Sequence, residues 1–325
     1  MEKSKIDIAV LLIFFARPKH TAKVFEQIRL ARPSKLFLYQ DGAREGRQDD
    51  VEGIKACRKI VENIDWECEV HRMYQEKNYG CDPSEYISQK WMFSMVDKGI
   101  ILEDDDVPSQ SFFPFCKELL EKYEHDTRIS LISGINYMEE TKDCPYSYFF
   151  SSDVAIWGWA TWKRVIDAWD GQYTFTKDEY HMRLFRKLFK EHKLRSELIP
   201  LLERHSNSGK EYYESILYGY HYLNNCLSIV PSKNMINNIG LEGGTHYSTN
   251  LTMLPKGVRK IFEMKRFEIQ FPLKHPKYVI ENLFYKDAVD KILARNKRMI
   301  QKYRLWEVRL YKLRAIILKW WYGKR

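Results

Sequence analysis

No run of apolar residues in this 325-residue chain reaches the roughly 20 that a membrane-spanning helix needs. The two longest candidates are Ile8 to Ala16 and the "AIILKWWYG" stretch near the end, and both are too short. Arg17-Pro18 ends the first of them without a small-residue cleavage site, which argues against a secretory leader. Paired or metal-spaced cysteines are also missing. The six Cys, at 57, 68, 81, 116, 144 and 226, form no C-x-x-C and no zinc spacing. They are expected to be free thiols in a reducing cytoplasm. A basic body is absent as well, although the formal net charge is +9. Residues 291–325 carry 12 Lys/Arg against one acid, Glu307, which leaves 41 basic and 43 acidic residues for the rest. A near-neutral body offers nucleic acid no basic face, so no nucleic-acid partner is expected. There is no internal repeat and no low-complexity linker.

What the chain does have is core-forming material. Its hydrophobic content is 44%, with 9 Trp and 21 Tyr, enough for a sizeable core and for aromatic ligand contacts. Over the first 135 residues, apolar runs alternate with helical patterns. "IDIAVLLIFF", "KLFLYQDG", "ECEVHRMYQ" and "IILEDDD" predict strands. "KHTAKVFEQIRLA", "DVEGIKACRKIVENI" and "DPSEYISQKWMFSMVDKG" predict the helices between them, the last with Gly99 just past its end. A further helix, "SFFPFCKELLEKYE", and a strand, "ISLISG", follow. Such alternation predicts parallel pairing in an open α/β sheet, whose ligands bind at the carboxyl ends of the strands. Three polar segments fall there: Ala16-Arg17-Pro18, Gln40-Asp41-Gly42, and Glu103 to Asp106.

From about residue 145 the pattern changes. "WGWATWKRVIDAWD" is aromatic and reads as helical, with Trp162 and Trp169 seven apart on one face and in the core. Trp157 and Trp159, flanking Gly158, are expected to line a pocket. Residues 179–206 and "GKEYYESILYGYHYLNN" predict helices, "LSIVP" predicts a strand, and "NNIGLEGGTHYSTN" a glycine-rich loop that could close over a ligand. Beyond about residue 256 the chain is polar and basic, ending in a long amphipathic helical pattern that runs from Val289 to Trp320.

Four consecutive acids, Glu103-Asp104-Asp105-Asp106, repel one another and are costly to bury without a counter-charge. Carboxylates clustered at a strand end suit a hard divalent cation, whose remaining shell a substrate's phosphates can complete. A solvated turn, or acids capping the next helix, is the alternative. A phosphotransferase that closes a strand with Asp-x-Asp also competes. Such enzymes have Thr or Val where this chain has Pro108, and place the pair on the first strand rather than the fourth.

The ordered set "VLLIFFARP", "LFLYQDG", "NYGC", "IILEDDDVPSQSFF", "WGWATW" and "YYES" resembles GT-A fold glycosyltransferases. The resemblance is to the N-acetylglucosaminyltransferase I type and to related bacterial, hemolytic-protein-like sugar transferases. It spans roughly residues 6–250. It implies a GT-A, Rossmann-like nucleotide-diphospho-sugar transferase domain over 1–255, built on an open mixed sheet. Residues 1–135 would be the nucleotide-binding half and 136–255 the acceptor half, followed by a basic helical extension over 256–325. In that family Arg17 would contact the nucleotide and Asp41 the uracil edge. Glu103 and Asp104 would face ribose and sugar, and Asp105 would bind Mn2+ or Mg2+. Asp106 stands where the family often has an apolar residue, which leaves Asp105 and Asp106 both open as the ligand. His246 would be a late metal ligand. Counting back from "NNCLSIVP", the catalytic base falls on Glu214, with Glu in place of Asp and Tyr213 in place of Trp; Glu211 is the alternative.

The resemblance and the bottom-up chemistry together imply a metal-dependent inverting transferase. It would use a nucleotide-sugar donor, UDP-linked first, and a saccharide or lipid-linked acceptor in bacterial surface polysaccharide synthesis. The basic tail, residues 291–325, suits an anionic membrane surface, placing the protein in the cytoplasm or peripherally at the inner face of the cell membrane. A non-catalytic sugar-nucleotide-binding or scaffold protein of the same fold is the other expectation.

Overall fold

A computed structural model describes residues 2–188, 193–241 and 256–293, with Leu310 and Leu313 as single helical positions. His246 and nearly all of the basic tail lie outside the described residues. Strands β1 (Ile6–Phe14), β2 (Pro33–Gln40), β3 (Glu69–Tyr74) and β4 (Lys98–Glu103) are parallel and ordered β3-β2-β1-β4. Helices α1 (Pro18–Ala31), α2 (Gln48–Val61) and α3 (Cys81–Met95) are the crossovers. β1 is apolar from Ile8 to Phe14, where it is covered on both faces. Val10, Leu12 and Phe14 join α1, α2 and α4 (Phe112–Lys122) in one core; Ala9, Leu11 and Ile13 join α3 in the other. Each such side chain, fully buried, contributes about 1.5–3 kcal/mol.

After β4 the sheet becomes mixed. The short strand β5 (Asp106–Pro108) leaves it, and β6 (Ile129–Ser133) does not pair with β4. An antiparallel strand from later in the chain, β8 (Trp159–Trp162), inserts between them, with Ile101 opposite Trp159 and Ile132 opposite Ala160. β9 (Leu227–Pro231) runs parallel to β6, and β7 (Tyr148–Ser151) pairs antiparallel with β9. The full order is β3-β2-β1-β4-β8-β6-β9-β7, an open mixed α/β sheet as expected. β5 pairs with β10 (Ile236–Asn238) in a two-stranded ribbon.

Three sequence expectations are corrected. "WGWATW" is not helical. Trp159–Trp162 is β8, and only a short helix, α5 (Lys163–Asp167), follows. Trp162 and Trp169 are core residues but on opposite faces of the sheet. The Trp162 indole N–H donates to the Leu120 carbonyl at 2.9 Å, and the Arg164 guanidinium stacks on its ring at 4.5 Å. Gly99 does not end α3; it lies in β4, packed against Ala9 and Met92, where a side chain has no room.

Helices α6 (Glu179–Leu188), α7 (Lys193–Ser206) and α8 (Tyr213–Leu223) cover the α3 face, contributing Met182, Phe185, Leu202, Ile216 and Leu217. Residues 256–293 are folded onto the body. Ile269 and Leu273 join the first core, Ile261 of α9 (Lys256–Phe262) packs with Ile135 and Ala155, and α10 (Leu283–Ile292) sets Tyr285 and Val289 against Phe149 and Val230.

Gly158, just before β8, is where the ribbon and the sheet meet. Its φ is +61°, and a Cβ there would lie 2.5 Å from Ile236 Cδ1 and 3.3 Å from Leu102 Cδ2. Gly158→Ala is expected to destabilise the fold by about 2–4 kcal/mol, from left-handed strain and overpacking. Urea unfolding measures this, and an unchanged midpoint would show that the contact is slack.

Candidate functional site

Parallel pairing puts the carboxyl ends of β1, β2 and β4 at one edge, with Ile13 opposite Glu103 and Phe14 opposite Gln40. Arg17, three residues beyond β1, is thereby brought onto the acids that follow β4. Its guanidinium pairs with Asp104 and lies 2.9 Å from Asp105 Oδ2. Burial works against the Arg17 charge, but Asp104 and Asp105 override it and raise its pKa. The acid run therefore contains its own counter-ion, supplied by a neighbouring strand.

The four acids are not equivalent. Asp106 is fully buried in β5. Its Oδ2 accepts N–H bonds from Gly158 at 2.8 Å and Glu103 at 3.4 Å, and its Oδ1 accepts from Asn238 Nδ2 at 3.1 Å. The same Asn238 amide reaches Asp105 Oδ1 at 3.2 Å, and Ile239 N–H donates to the Asp105 carbonyl at 2.9 Å. A Cβ on Gly240 would overlap Asp105 Oδ2, so glycine there leaves this carboxylate its room. Asp105, 8% exposed, is the least buried of the three aspartates and is the one placed at the edge. His20, in the first turn of α1, holds the same segment through the Ile239 carbonyl at 3.2 Å.

Glu103 looks the other way, toward α3 and α8. Burial, and then Glu85, Asp106, Asp105 and Glu214, push its pKa well above the carboxylate range. Glu85, buried in α3 and bonded to Gln89 Nε2 at 3.3 Å, is pushed up by burial and by Asp106, Asp82 and Glu214. Glu214, in the first turn of α8, is exposed. The Tyr213 hydroxyl beside it is pushed up by burial, then by Glu103, Glu85 and Glu214. The Glu214 charge is thus felt at Glu103, Glu85 and Tyr213, and that of Glu211 at Tyr86 and Tyr173.

Two expected contacts change character. Asp41 has no free oxygen to offer a base. It accepts from the Gly42, Tyr79 and Gly80 N–H groups and from Asn78 Nδ2, all between 2.9 and 3.1 Å. It pins the "NYG" loop that leads into α3. Trp159 is 1% exposed, packed among core residues that include Phe93 and Ile101, because β8 alternation turns it into the sheet's second face. Trp157 is half-buried, its ring 5.1 Å from that of Phe262. The sequence analysis missed Glu85, His20 and Asn238. Asn238 carried one signal, its place at the head of the glycine-rich stretch.

Among the described residues, no three His, Cys, Asp or Glu side chains form a ready-made metal cage. A hard divalent cation that shares a substrate's phosphate oxygens needs only one or two carboxylates. Asp105 fits that form: hard oxygens at the carboxyl edge of the sheet, oriented by Asn238 and Arg17.

No family model matches this chain, and no curated protein matches it. Among solved structures, the fold is similar to UDP-glucose pyrophosphorylase complexed with UDP-glucose. The alignment covers 71% of this chain and 93% of that one, at 8% identity and a TM-score of 0.34.

The raised carboxyls have a measurable consequence. The unfolded chain releases the Glu85 proton near the ordinary value of 4.5, while the folded chain retains it to higher pH. Stability from this group is therefore complete below that value and falls as pH rises, by at most about 1.4 kcal/mol per pH unit. Glu85→Gln is expected to flatten the decline of melting temperature between about pH 5 and about pH 8. An unchanged slope would mean that Glu85 is ionised in the fold.

Proposed function

We propose that this protein is a metal-dependent, inverting glycosyltransferase that moves a sugar from a nucleotide diphosphate, UDP first, to a saccharide or lipid-linked acceptor. The observation that carries this is the Arg17–Asp104–Asp105 cluster at the carboxyl edge of the sheet, with Glu214 in the first turn of α8, its charge felt at Glu103. Asp105 is the residue to hold Mn2+ or Mg2+, which when bound would neutralise the leaving diphosphate. Arg17, beside Asp104 and Asp105, would contact the phosphates. Glu214 takes the proton of the acceptor hydroxyl as its oxygen attacks the anomeric carbon. The bond to the diphosphate breaks with its electron pair leaving on the nucleotide, and the configuration inverts.

Asp106 and Glu103 act from within the fold, fixing the turn and facing the sugar side. Trp157, half-buried near the ribbon, is the aromatic surface available to a sugar ring. His246, outside the described residues, is the further metal ligand that the family resemblance implies. The basic residues 291–325 favour an anionic surface at the cytoplasmic face of a membrane, where lipid-linked acceptors are presented. Among the described residues, no helix is long and apolar enough to cross a membrane.

Calorimetry with UDP and with GDP, each with and without Mn2+, is expected to show Mn2+-dependent binding of UDP. Absence of any metal-dependent nucleotide binding would sink the proposal. Glu214→Gln is expected to lower turnover about 100-fold or more while leaving UDP affinity unchanged. Turnover equal to the parent would reject Glu214 as the base. Nucleotide binding without transfer to any acceptor would leave a sugar-nucleotide-binding protein.

A further inference from the structure

The outer edge of the sheet carries a second surface that the transfer chemistry does not use. Beyond β7, residues 278–284 follow the edge strand, with Glu281 bridged to Phe150 and Asn282 N–H donating to the Phe150 carbonyl at 2.8 Å. Within these seven residues Tyr278, Ile280, Leu283 and Phe284 are 67, 73, 59 and 85% exposed. Val279 between them turns inward to the core. Four large apolar side chains grouped on a surface mark an interaction site rather than scattered exposure.

Their exposure is imposed by rigid anchors. Glu281 accepts from Ser152 N–H at 2.9 Å, and Asn282 caps α10 by accepting from Tyr285 N–H at 3.0 Å. Tyr285 and Val289 are buried below, and the Tyr285 hydroxyl accepts from Tyr137 N–H at 3.2 Å. Leu283 and Phe284 therefore cannot turn inward without breaking the cap. Around them Lys274, Lys277 and Lys291 are exposed, against one exposed acid, Asp287. The Lys277 ammonium lies 5.2 Å from the Tyr278 ring. Lys291, in the last turn of α10, is the first of the 12 basic residues of the tail.

We propose that Tyr278, Ile280, Leu283 and Phe284 form a membrane-inserting ridge that docks the protein on an anionic bilayer, together with the basic residues that follow in the sequence. The inference deepens the membrane association proposed above and rests on it. Aliphatic and aromatic tips enter the interface while lysines meet anionic headgroups, the pairing of apolar and electrostatic attraction that stable peripheral binding needs. A second copy of the chain fits less well. Four side chains fall far short of the roughly 20–30 residues a side of a stable interface, and the basic tail would repel its twin.

The test is co-sedimentation of the full chain with phosphatidylcholine vesicles, with and without phosphatidylglycerol. Wild type is expected to bind the anionic vesicles, and Ile280→Ser/Phe284→Ser to lower partitioning about tenfold or more with an unchanged melting temperature. A second full-length variant, with Arg295, Arg298 and Arg304 changed to Gln, reports on the tail alone. If the ridge variant binds like wild type while the arginine variant does not, the ridge is overturned and the tail contact stands. If only the arginine variant binds like wild type, the tail contact falls and the ridge stands. Wild type that ignores all vesicles, or that self-associates through Phe284, overturns the ridge.

Discussion

The site depends on charge compensation inside one turn. Four acids in sequence are tolerable because the fold disperses them into separate environments. Asp104 and Asp105 share Arg17. Asp106 is held by the Gly158 N–H and the Asn238 amide, and burial, then Glu85, raise the pKa of Glu103 well above the carboxylate range. Removing Arg17 would leave two buried carboxylates facing each other, and a buried charge deprived of its partner is among the costlier defects a fold can carry.

This arrangement links three parts of the chain that are far apart in sequence. Arg17 comes from the end of β1, the acids from the end of β4, and Asn238 from β10, more than 130 residues later. Gly240 is needed because a Cβ there would overlap the Asp105 carboxylate, and Gly158 because its φ is +61° and a Cβ there would press on Ile236. The segment after Asn238 is bonded to Asp105 and to His20, so the start of the glycine-rich stretch is tied to the acids. Binding at Asp105 would thus be felt directly by that segment. Residues 278–284 lie beside β7, the outer strand of the sheet, away from the ends of β1 and β4 that carry Arg17 and the acids.

Much of the fold was legible in the chain. β1, β2 and β4 are near-continuous apolar runs because helices cover both faces of the central strands, and the turn residues between them separate the helices cleanly. The stretch from Trp157 to Trp169 misled because tryptophans at wide spacing satisfy a helical pattern as well as a strand that meets a helix. Period-2 burial, with Trp159 on one face and Ala160 and Trp162 on the other, is visible only once β4 and β6 flank it. Asp41 likewise has the residue type and place of a ligand, yet four N–H donors from its own fold fill its carboxylate.

The sequence by itself determined the alternation of strands and helices in the first half, the concentration of acids at one strand end and the segregation of positive charge into the tail. Those are properties of local pattern and composition, which survive without knowledge of neighbours. Tertiary structure decided how deeply each acid is buried, that Arg17 pairs with Asp104 and Asp105, and that the Glu214 charge is felt at Glu103. These are outcomes of register and of which strand lies beside which. A carboxylate's pKa and availability depend on groups within a few ångströms, and those groups come from other parts of the chain.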